Sequence, residues 1–285
     1  MEVNINNTSQ NNNSSLTYNY GGYEPVEFTM KVVTIIIMCI GLPLTLVAIC
    51  AVRSLVKDDH VVLIYVINLL ITDLIQLCCM IAWVLPKDWI LSGGFILLPI
   101  YGYCLVASIG FMVCIALERY LVIACPLWYH FRRTIKVSVL VCVVVWALPA
   151  VIYCLVIATR NSATIGGILF LLPLPLFIFF LGGTLKALSA SISVHSDEKR
   201  RIVGMLVLVL LIYTLLFLPT IILLLAQGSS VIDRYKLNNL SFTFVQLSPL
   251  AHLFLYIFMR KGTIDKLLAS VCCCRMDSDD ISSPV

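Results

Sequence analysis

Charge is what this sequence has least of. Only 12% of its 285 residues are charged, about half of the roughly 25% that is usual in a soluble domain, and 61% are hydrophobic. The formal net charge is +4, which we ascribe to contact with anionic lipid at one membrane surface and not to nucleic acid. These proportions exclude a soluble globular protein and indicate an integral membrane protein.

Motifs of enzymes and transporters are also missing. The sequence has no His-Glu-x-x-His, no paired intramembrane aspartates and no nucleophile motif, so an enzyme is not expected. No internal repeat is evident, and Asp73 is the only acid deep inside an apolar run. Transporters usually combine repeats with broken helices and midplane charges. The first 30 residues lack a hydrophobic stretch that would serve as a cleavable signal.

Seven long runs with little or no charge dominate the rest of the chain. A helix needs ~20 residues to cross a membrane, and each run is long enough. We therefore predict an all-α membrane protein with a seven-helix transmembrane bundle over residues 30–259. The predicted spans are 30–52, 61–85, 94–124, 135–158, 165–188, 200–227 and 238–259.

Lys and Arg are distributed unequally between the loops. With the N-terminus outside, thirteen fall on inner segments and five on outer ones. This bias follows the positive-inside rule and predicts a multi-pass plasma-membrane protein with an extracellular N-terminus.

Both ends of the chain are predicted to lie outside the bundle. Residues 1–29 are rich in Asn and Ser and are expected to form a disordered extracellular tail. Acceptor sequences for N-glycosylation occur at Asn6, Asn7, Asn12 and Asn13, and another at Asn239. The alternative is a low-complexity tail with accidental sequons.

Residues 260–285 are predicted to form a short amphipathic interfacial helix and a cytoplasmic tail. Ile264, Leu267, Leu268 and Val271 recur at helical spacing. Juxtamembrane cysteines at such a place are candidates for palmitoylation, the alternative being three reduced thiols. They are Cys272, Cys273 and Cys274.

Residues typical of one receptor family recur in order along the seven spans. They are Gly41-Leu42-Pro43, Asn68-Leu69, Asp73, Glu118-Arg119-Tyr120, Cys125-Pro126-Leu127, Trp146, Pro173, Pro175, Phe217-Leu218-Pro219 and Tyr256. In this order they make the chain resemble a rhodopsin-like (class A) G-protein-coupled receptor, near the branch of nucleotide, lipid and proton-sensing receptors. The resemblance implies that an extracellular ligand signal passes to a heterotrimeric G protein.

The resemblance assigns the G-protein switch to Glu118, Arg119 and Tyr120. In the inactive state the arginine pairs with the adjacent acid, and when the helices move apart it engages the G protein. The alternative is a boundary charge that snorkels to lipid headgroups. At the start of the sixth span, Lys199, Arg200 and Arg201 face either a G protein or anionic lipid, and simple positive-inside anchoring is an equal alternative.

The resemblance also implies a buried coupling centre at Asp73. Family members hold a sodium ion there, with Ser108 and Ser248 in place to supply oxygen ligands. His252 stands where Asn or Asp is usual. Two alternatives stay open: a sodium ion at this centre, or a direct contact between Asp73 and the His252 imidazole.

Two further groups follow from the resemblance. Pro219 is expected to kink the sixth span and form an activation hinge with Phe217 and Tyr256. The ligand pocket is expected to be lined by Trp83, Tyr101, Leu105 and Tyr153. Because Tyr101 stands where amine receptors carry Asp, we expect a neutral or lipid-like small ligand.

Several family features are missing. The outer segments carry no cysteine for the usual disulfide, Thr45 replaces an expected Asn, and the Asn-Pro of the seventh span has become His252-Leu253. Gly182-Gly183 occupies the stretch of the fifth span where a tyrosine is usual. A signalling-impaired or constitutively active receptor-like protein is therefore the main alternative, and a seven-span transporter is the weaker one.

Overall fold

The computed structural model describes residues 24–55, 61–85, 96–125, 135–158, 162–190, 196–225 and 231–259. All secondary structure in these ranges is helical. The helices are Glu24–Leu55, Val61–Cys79, Ile81–Val84, Leu97–Ala124, Ile135–Ala158, Ser162–Leu171, Pro173–Ala190, Ser196–Leu225, Val231–Gln246 and Ser248–Met259. The predicted tail at 1–23 and the predicted interfacial helix at 260–285 lie outside the described residues.

Seven segments are long and apolar enough to cross a membrane. We name them spans 1 to 7 in chain order: Phe28–Val52, Val62–Val84, Leu97–Ala124, Ile135–Val156, Thr164–Ser189, Arg200–Leu225 and Leu237–Phe258. An all-helical protein with seven candidate membrane spans is therefore confirmed.

Three of the spans are interrupted, which the apolar runs did not reveal. Span 5 breaks at Leu172, because Pro173 and Pro175 lack the N–H groups that would continue the helical hydrogen bonds. Span 7 breaks at Leu247, whose N–H donates to the Phe244 carbonyl at 3.1 Å, two residues before Pro249. Span 2 breaks at Met80, where no proline accounts for the break.

The spans pack as a closed bundle around span 3. Span 3 contacts spans 2, 4, 5 and 6, and span 7 contacts spans 1, 2 and 6. In the most apolar stretch of span 3, 61% of residues are buried, against 17% in span 4. Span 3 is thus the central helix, and most of span 4 presents apolar side chains to the bundle's surroundings.

Two glycines let spans approach closely. A Cβ on Gly110 in span 3 would lie 2.8 Å from Val145 Cγ1 in span 4, and one on Gly41 in span 1 would lie 2.9 Å from Leu77 Cδ2 in span 2. Small residues at such contacts are the usual means of packing helices in membranes.

Candidate functional site

The predicted switch lies at the C-terminal end of the central helix. Glu118 is buried, with 8% of its surface exposed, and Arg119 and Tyr120 are half-buried. Glu118 and Arg119 each take part in an interaction within the structure. The Tyr120 ring packs against Phe179 and Phe180 of span 5, with ring centroids 5.8 and 5.7 Å apart. The triplet is therefore packed into the bundle and does not project from it.

The three basic residues predicted beside the switch lie near the start of the helix Ser196–Leu225, which contains span 6. Arg200 is exposed and Arg201 is half-buried. The side chain of Lys199 lies outside what the structure describes.

A buried acid and a buried histidine join spans 2 and 7. His252 Nδ1 lies 2.8 Å from Asp73 Oδ1, and both side chains are fully buried. Asp73 Oδ2 and His252 Nε2 have no hydrogen-bond partner among the described residues. The contact links residues 179 positions apart in the chain and makes Asp73 part of a pair.

The two serines predicted at this centre form other hydrogen bonds. Ser108 Oγ donates to the Leu105 carbonyl at 2.8 Å, and Ser248 Oγ donates to Gln76 Oε1 at 3.4 Å. A sodium ion would need oxygen ligands, but an imidazole nitrogen stands where the resemblance expects an oxygen and already contacts the carboxylate. These residues do not fit the family's ion, and they support the direct pair between Asp73 and His252.

Two family residues, Asn68 and Trp146, meet across spans 2 and 4. Trp146 Nε1 donates to Asn68 Oδ1 at 2.9 Å. The Trp146 ring packs edge-on against Phe111 of span 3, with centroids 5.8 Å apart, and its carbonyl accepts a hydrogen bond from the Tyr103 hydroxyl. This cluster ties the poorly buried span 4 to the rest of the bundle.

The predicted hinge belongs to an aromatic stack between spans 5 and 6. Phe217 is fully buried and stacks on Tyr213 at 4.9 Å and on Phe170 at 6.1 Å. The Tyr213 hydroxyl donates to the Phe170 carbonyl, just before the helix break at Leu172. Pro219 lies inside the helix Ser196–Leu225, two residues after Phe217.

Tyr256, the third predicted hinge residue, lies in span 7. It is buried, and its hydroxyl has no partner among the described residues. The described contacts do not join it to Phe217.

Three of the predicted pocket residues lie in the bundle interior. The Trp83 ring packs edge-on against Tyr101 at 4.8 Å and against Phe242 of span 7 at 4.7 Å. Tyr101 is 5% exposed and its hydroxyl has no hydrogen-bond partner in the part of the chain that the structure describes, while Leu105 follows one turn later and is buried. Tyr153 of span 4 is 57% exposed, so the structure does not bring it to this group.

The remaining predicted sites are modification sites. Asn6, Asn7, Asn12, Asn13, Cys272, Cys273 and Cys274 all lie outside the described residues. Asn239 lies within span 7 and its Nδ2, the atom that would carry a glycan, is buried. The structure therefore disfavours glycosylation at Asn239.

Among the residues of these groups that belong to no motif and were not predicted are Gln76, Tyr213 and Phe242. Gln76 lies three residues after Asp73, and Tyr213 four residues before Phe217, so each shares a helix face with a predicted residue. That spacing is the signal that would have found those two. Phe242 has no comparable signal, since its position depends on how span 7 packs.

These features define a class. Seven helical spans pack with the third at the centre, Glu118-Arg119-Tyr120 lies near the C-terminal end of that third helix, and a buried polar pair joins spans 2 and 7. Residues 41–167 match the family described as 7 transmembrane receptor (rhodopsin family). Over these residues, which make up less than half of the chain, it is similar to this family of receptors.

Three relatives illustrate the similarity. Human G-protein coupled receptor 68 is 27% identical over 253 residues, covering 78% of this chain and 68% of the relative. Rat free fatty acid receptor 3 is 27% identical, covering 66% of this chain and 69% of the relative. Bovine lysophosphatidic acid receptor 5 is 25% identical, covering 69% of this chain and 63% of the relative. The matches thus span about two thirds of the relatives' own lengths.

Proposed function

We propose that this protein is a plasma-membrane receptor that binds an extracellular ligand and activates a heterotrimeric G protein. The family assignment and the relative named as G-protein coupled support this function. The excess of Lys and Arg on one set of loops supports an extracellular N-terminus. In that orientation the C-terminal end of span 3 faces the cytoplasm.

The position of Glu118-Arg119-Tyr120 is the observation that carries the proposal. The triplet lies near the C-terminal end of the most buried span, which contacts spans 2, 4, 5 and 6. A rearrangement of any of these neighbours therefore changes the surroundings of Arg119. Activation exposes the guanidinium to the G protein, and the basic start of span 6 (Lys199, Arg200 and Arg201) lies at the same face.

Two contacts between spans are proposed to pass the ligand signal towards this switch. The pair of Asp73 and His252 couples span 2 to span 7. The stack around Phe217 couples span 5 to span 6, and Pro219 gives span 6 a place to bend. A ligand acts by favouring one of two packings of these helices.

We propose that the ligand binds at Trp83, Tyr101, Leu105 and the neighbouring Phe242. These side chains carry no charge, and the buried Tyr101 hydroxyl has no partner among the residues that the structure describes, which supports its being available to a hydrogen-bonding ligand. Two relatives are named for lipids, a free fatty acid and lysophosphatidic acid. An apolar site with one hydroxyl suits a neutral, lipid-like molecule, since it offers no cation to pair with an acidic headgroup.

Nucleotide exchange tests the receptor function. Membranes of cells that express the chain are mixed with each class of purified G-protein heterotrimer, and GTP-analogue binding is measured with and without neutral lipids. Arg119→Ala should reduce exchange at least about tenfold, because it removes the group that engages the G protein. Lys136→Ala is the matched control, since Lys136 is an exposed cation at the same end of the bundle.

Receptor abundance at the cell surface is measured for each variant. Exchange that Arg119→Ala leaves unchanged would contradict the switch. No exchange in any condition by a chain that reaches the surface would contradict signalling and favour the impaired alternative. High nucleotide exchange without added lipid favours the alternative of a constitutively active receptor-like protein.

A further inference from the structure

Gly183 of span 5 lies directly against the ring of Tyr120. A Cβ added to Gly183 would lie 2.6 Å from Tyr120 Cε2, 3.3 Å from Cδ2 and 3.4 Å from Cζ. Real Cβ atoms essentially never approach another heavy atom within 3.0 Å. The ring therefore occupies the space that any other residue at 183 would fill.

We call the space beside Gly183 that holds the Tyr120 ring the notch, and its other walls are aromatic. Phe180 lies one turn before Gly183 and stacks against the Tyr120 ring at an interplanar angle of 29°, and Phe179 packs at 55°. A Cβ on the preceding glycine, Gly182, would meet no heavy atom within 4 Å. The close approach thus belongs to one glycine of the Gly182-Gly183 pair.

This contact determines how the end of span 3 is turned. Tyr120 follows Arg119 on a continuous helix, so a ring held against span 5 also holds the direction of the arginine. Glu118 is buried, Arg119 is half-buried, and each takes part in an interaction. The ring in its notch therefore accompanies a packing in which the switch is sequestered.

We propose that Gly183 is a positioning residue for the Glu118-Arg119-Tyr120 switch: by receiving the Tyr120 ring it holds the end of span 3 in the resting packing. The inference rests on the receptor function proposed above. Filling the notch displaces the ring, raises the free energy of the resting packing and so increases the fraction of receptor in the active packing.

Thermal stability tests the contact independently of signalling. Gly183→Ala should lower the melting temperature of the detergent-purified protein by about 2–4 °C or more, whereas Gly182→Ala should not lower it. Both changes raise intrinsic helix propensity equally, so their difference reports the notch. In a Tyr120→Ala background Gly183→Ala should cause no loss, because the ring is gone.

Basal nucleotide exchange tests the positioning role. Exchange per receptor at the cell surface should rise about fivefold or more in Gly183→Ala and stay at the wild-type level in Gly182→Ala. A residue that only stabilises the fold would lower abundance and leave exchange per receptor unchanged. Adding Arg119→Ala to Gly183→Ala should abolish the gain.

The outcomes separate the two proposals. Equal melting temperatures for Gly183→Ala and Gly182→Ala, or a loss that persists without Tyr120, would overturn the contact. A stability loss with unchanged exchange per receptor would overturn the positioning role. If neither the wild type nor any variant shows nucleotide exchange, both the receptor function and the role of Gly183 in switching are wrong. The melting temperatures would still test the contact between Gly183 and Tyr120.

Discussion

Replacing His252 by leucine should be among the most damaging single changes in the bundle interior. The His252 imidazole contacts the Asp73 carboxylate at 2.8 Å, and both side chains are fully buried. Removing one partner of a buried pair leaves the other polar group without compensation, which typically costs ~3–5 kcal/mol. Because the pair joins spans 2 and 7, the loss should appear in the stability of the whole bundle.

The expected loss of stability in His252→Leu has two parts. A hydrogen bond to a charged group contributes ~1.5–3 kcal/mol, and the remainder is the cost of burying an uncompensated carboxyl group. The other polar atoms of the pair, Asp73 Oδ2 and His252 Nε2, have no partner among the described residues, so the contact is the main compensation that Asp73 receives. At roughly 2–4 °C per kcal/mol, His252→Leu should melt about 6–20 °C below the wild type.

Replacing both partners by leucine provides the sharper comparison. A buried pair exchanged for apolar side chains is often neutral in stability, whereas a broken pair is not. The Asp73→Leu, His252→Leu double variant should therefore be more stable than His252→Leu alone. Phe254→Leu is a suitable control, because Phe254 lies on the same helix and is 67% exposed.

Thiol labelling follows unfolding conveniently. Four of the described cysteines are buried and unpaired, and a thiol-reactive fluorophore will reach them as the bundle opens: Cys79, Cys104, Cys114 and Cys142. Melting of His252→Leu within about 2 °C of the wild type, or a double variant less stable than the single one, would refute the reasoning.

Sodium supplies an independent check. Because an imidazole already contacts Asp73, the wild-type melting temperature should be equal in sodium chloride and in choline chloride of the same concentration. His252→Asn restores an oxygen ligand, and its melting temperature should rise with sodium until Asp73→Asn is added. Stabilisation of the wild type by sodium that disappears with Asp73→Asn would show that the ion, and not the imidazole, occupies the centre.

Two further predictions concern packing. Gly110→Ala should destabilise the bundle by ~1–3 kcal/mol in the same melting assay, because its Cβ would lie 2.8 Å from Val145. Gly102→Ala should not destabilise the bundle, since nothing lies within 4 Å of a Cβ at that position. Equal effects of the two changes would contradict the close approach of spans 3 and 4. Tyr213→Phe removes the hydroxyl that donates to the Phe170 carbonyl and should lower the free energy of unfolding by ~1–3 kcal/mol. Tyr153→Phe, at an exposed position, should change the melting temperature little. A Tyr213→Phe variant as stable as the wild type would show that this hydrogen bond adds no stability.

The spans were predictable because the signal is local. An apolar run of sufficient length must be helical in lipid, since each backbone polar group has to be satisfied within the segment. For the breaks at Leu172 and Leu247, the only signal in the sequence was a nearby proline. A proline does not always interrupt a span: Pro219 lies inside its helix, whereas Pro173 follows a break. Which of these occurs depends on the packing around the proline.

The site was predictable in its members and less so in its contacts. The sequence named Asp73 and His252 and left open whether an ion or a direct contact joins them. It placed Tyr153 in a pocket, although span 4 turns that side chain outward. Both outcomes depend on the rotation of each helix about its axis, which apolar spans of low amphipathicity do not reveal.

The sequence by itself determined an all-helical membrane protein with seven spans and the order of its family residues, because length, hydrophobicity and short motifs are properties of single segments. Only the tertiary structure decided which side chains meet. It showed that Trp146 bonds Asn68, that His252 reaches Asp73, and that Gly183 lies under Tyr120. The physical reason is that such contacts join helices far apart in the chain, where a rotation of a few tens of degrees exchanges one neighbour for another.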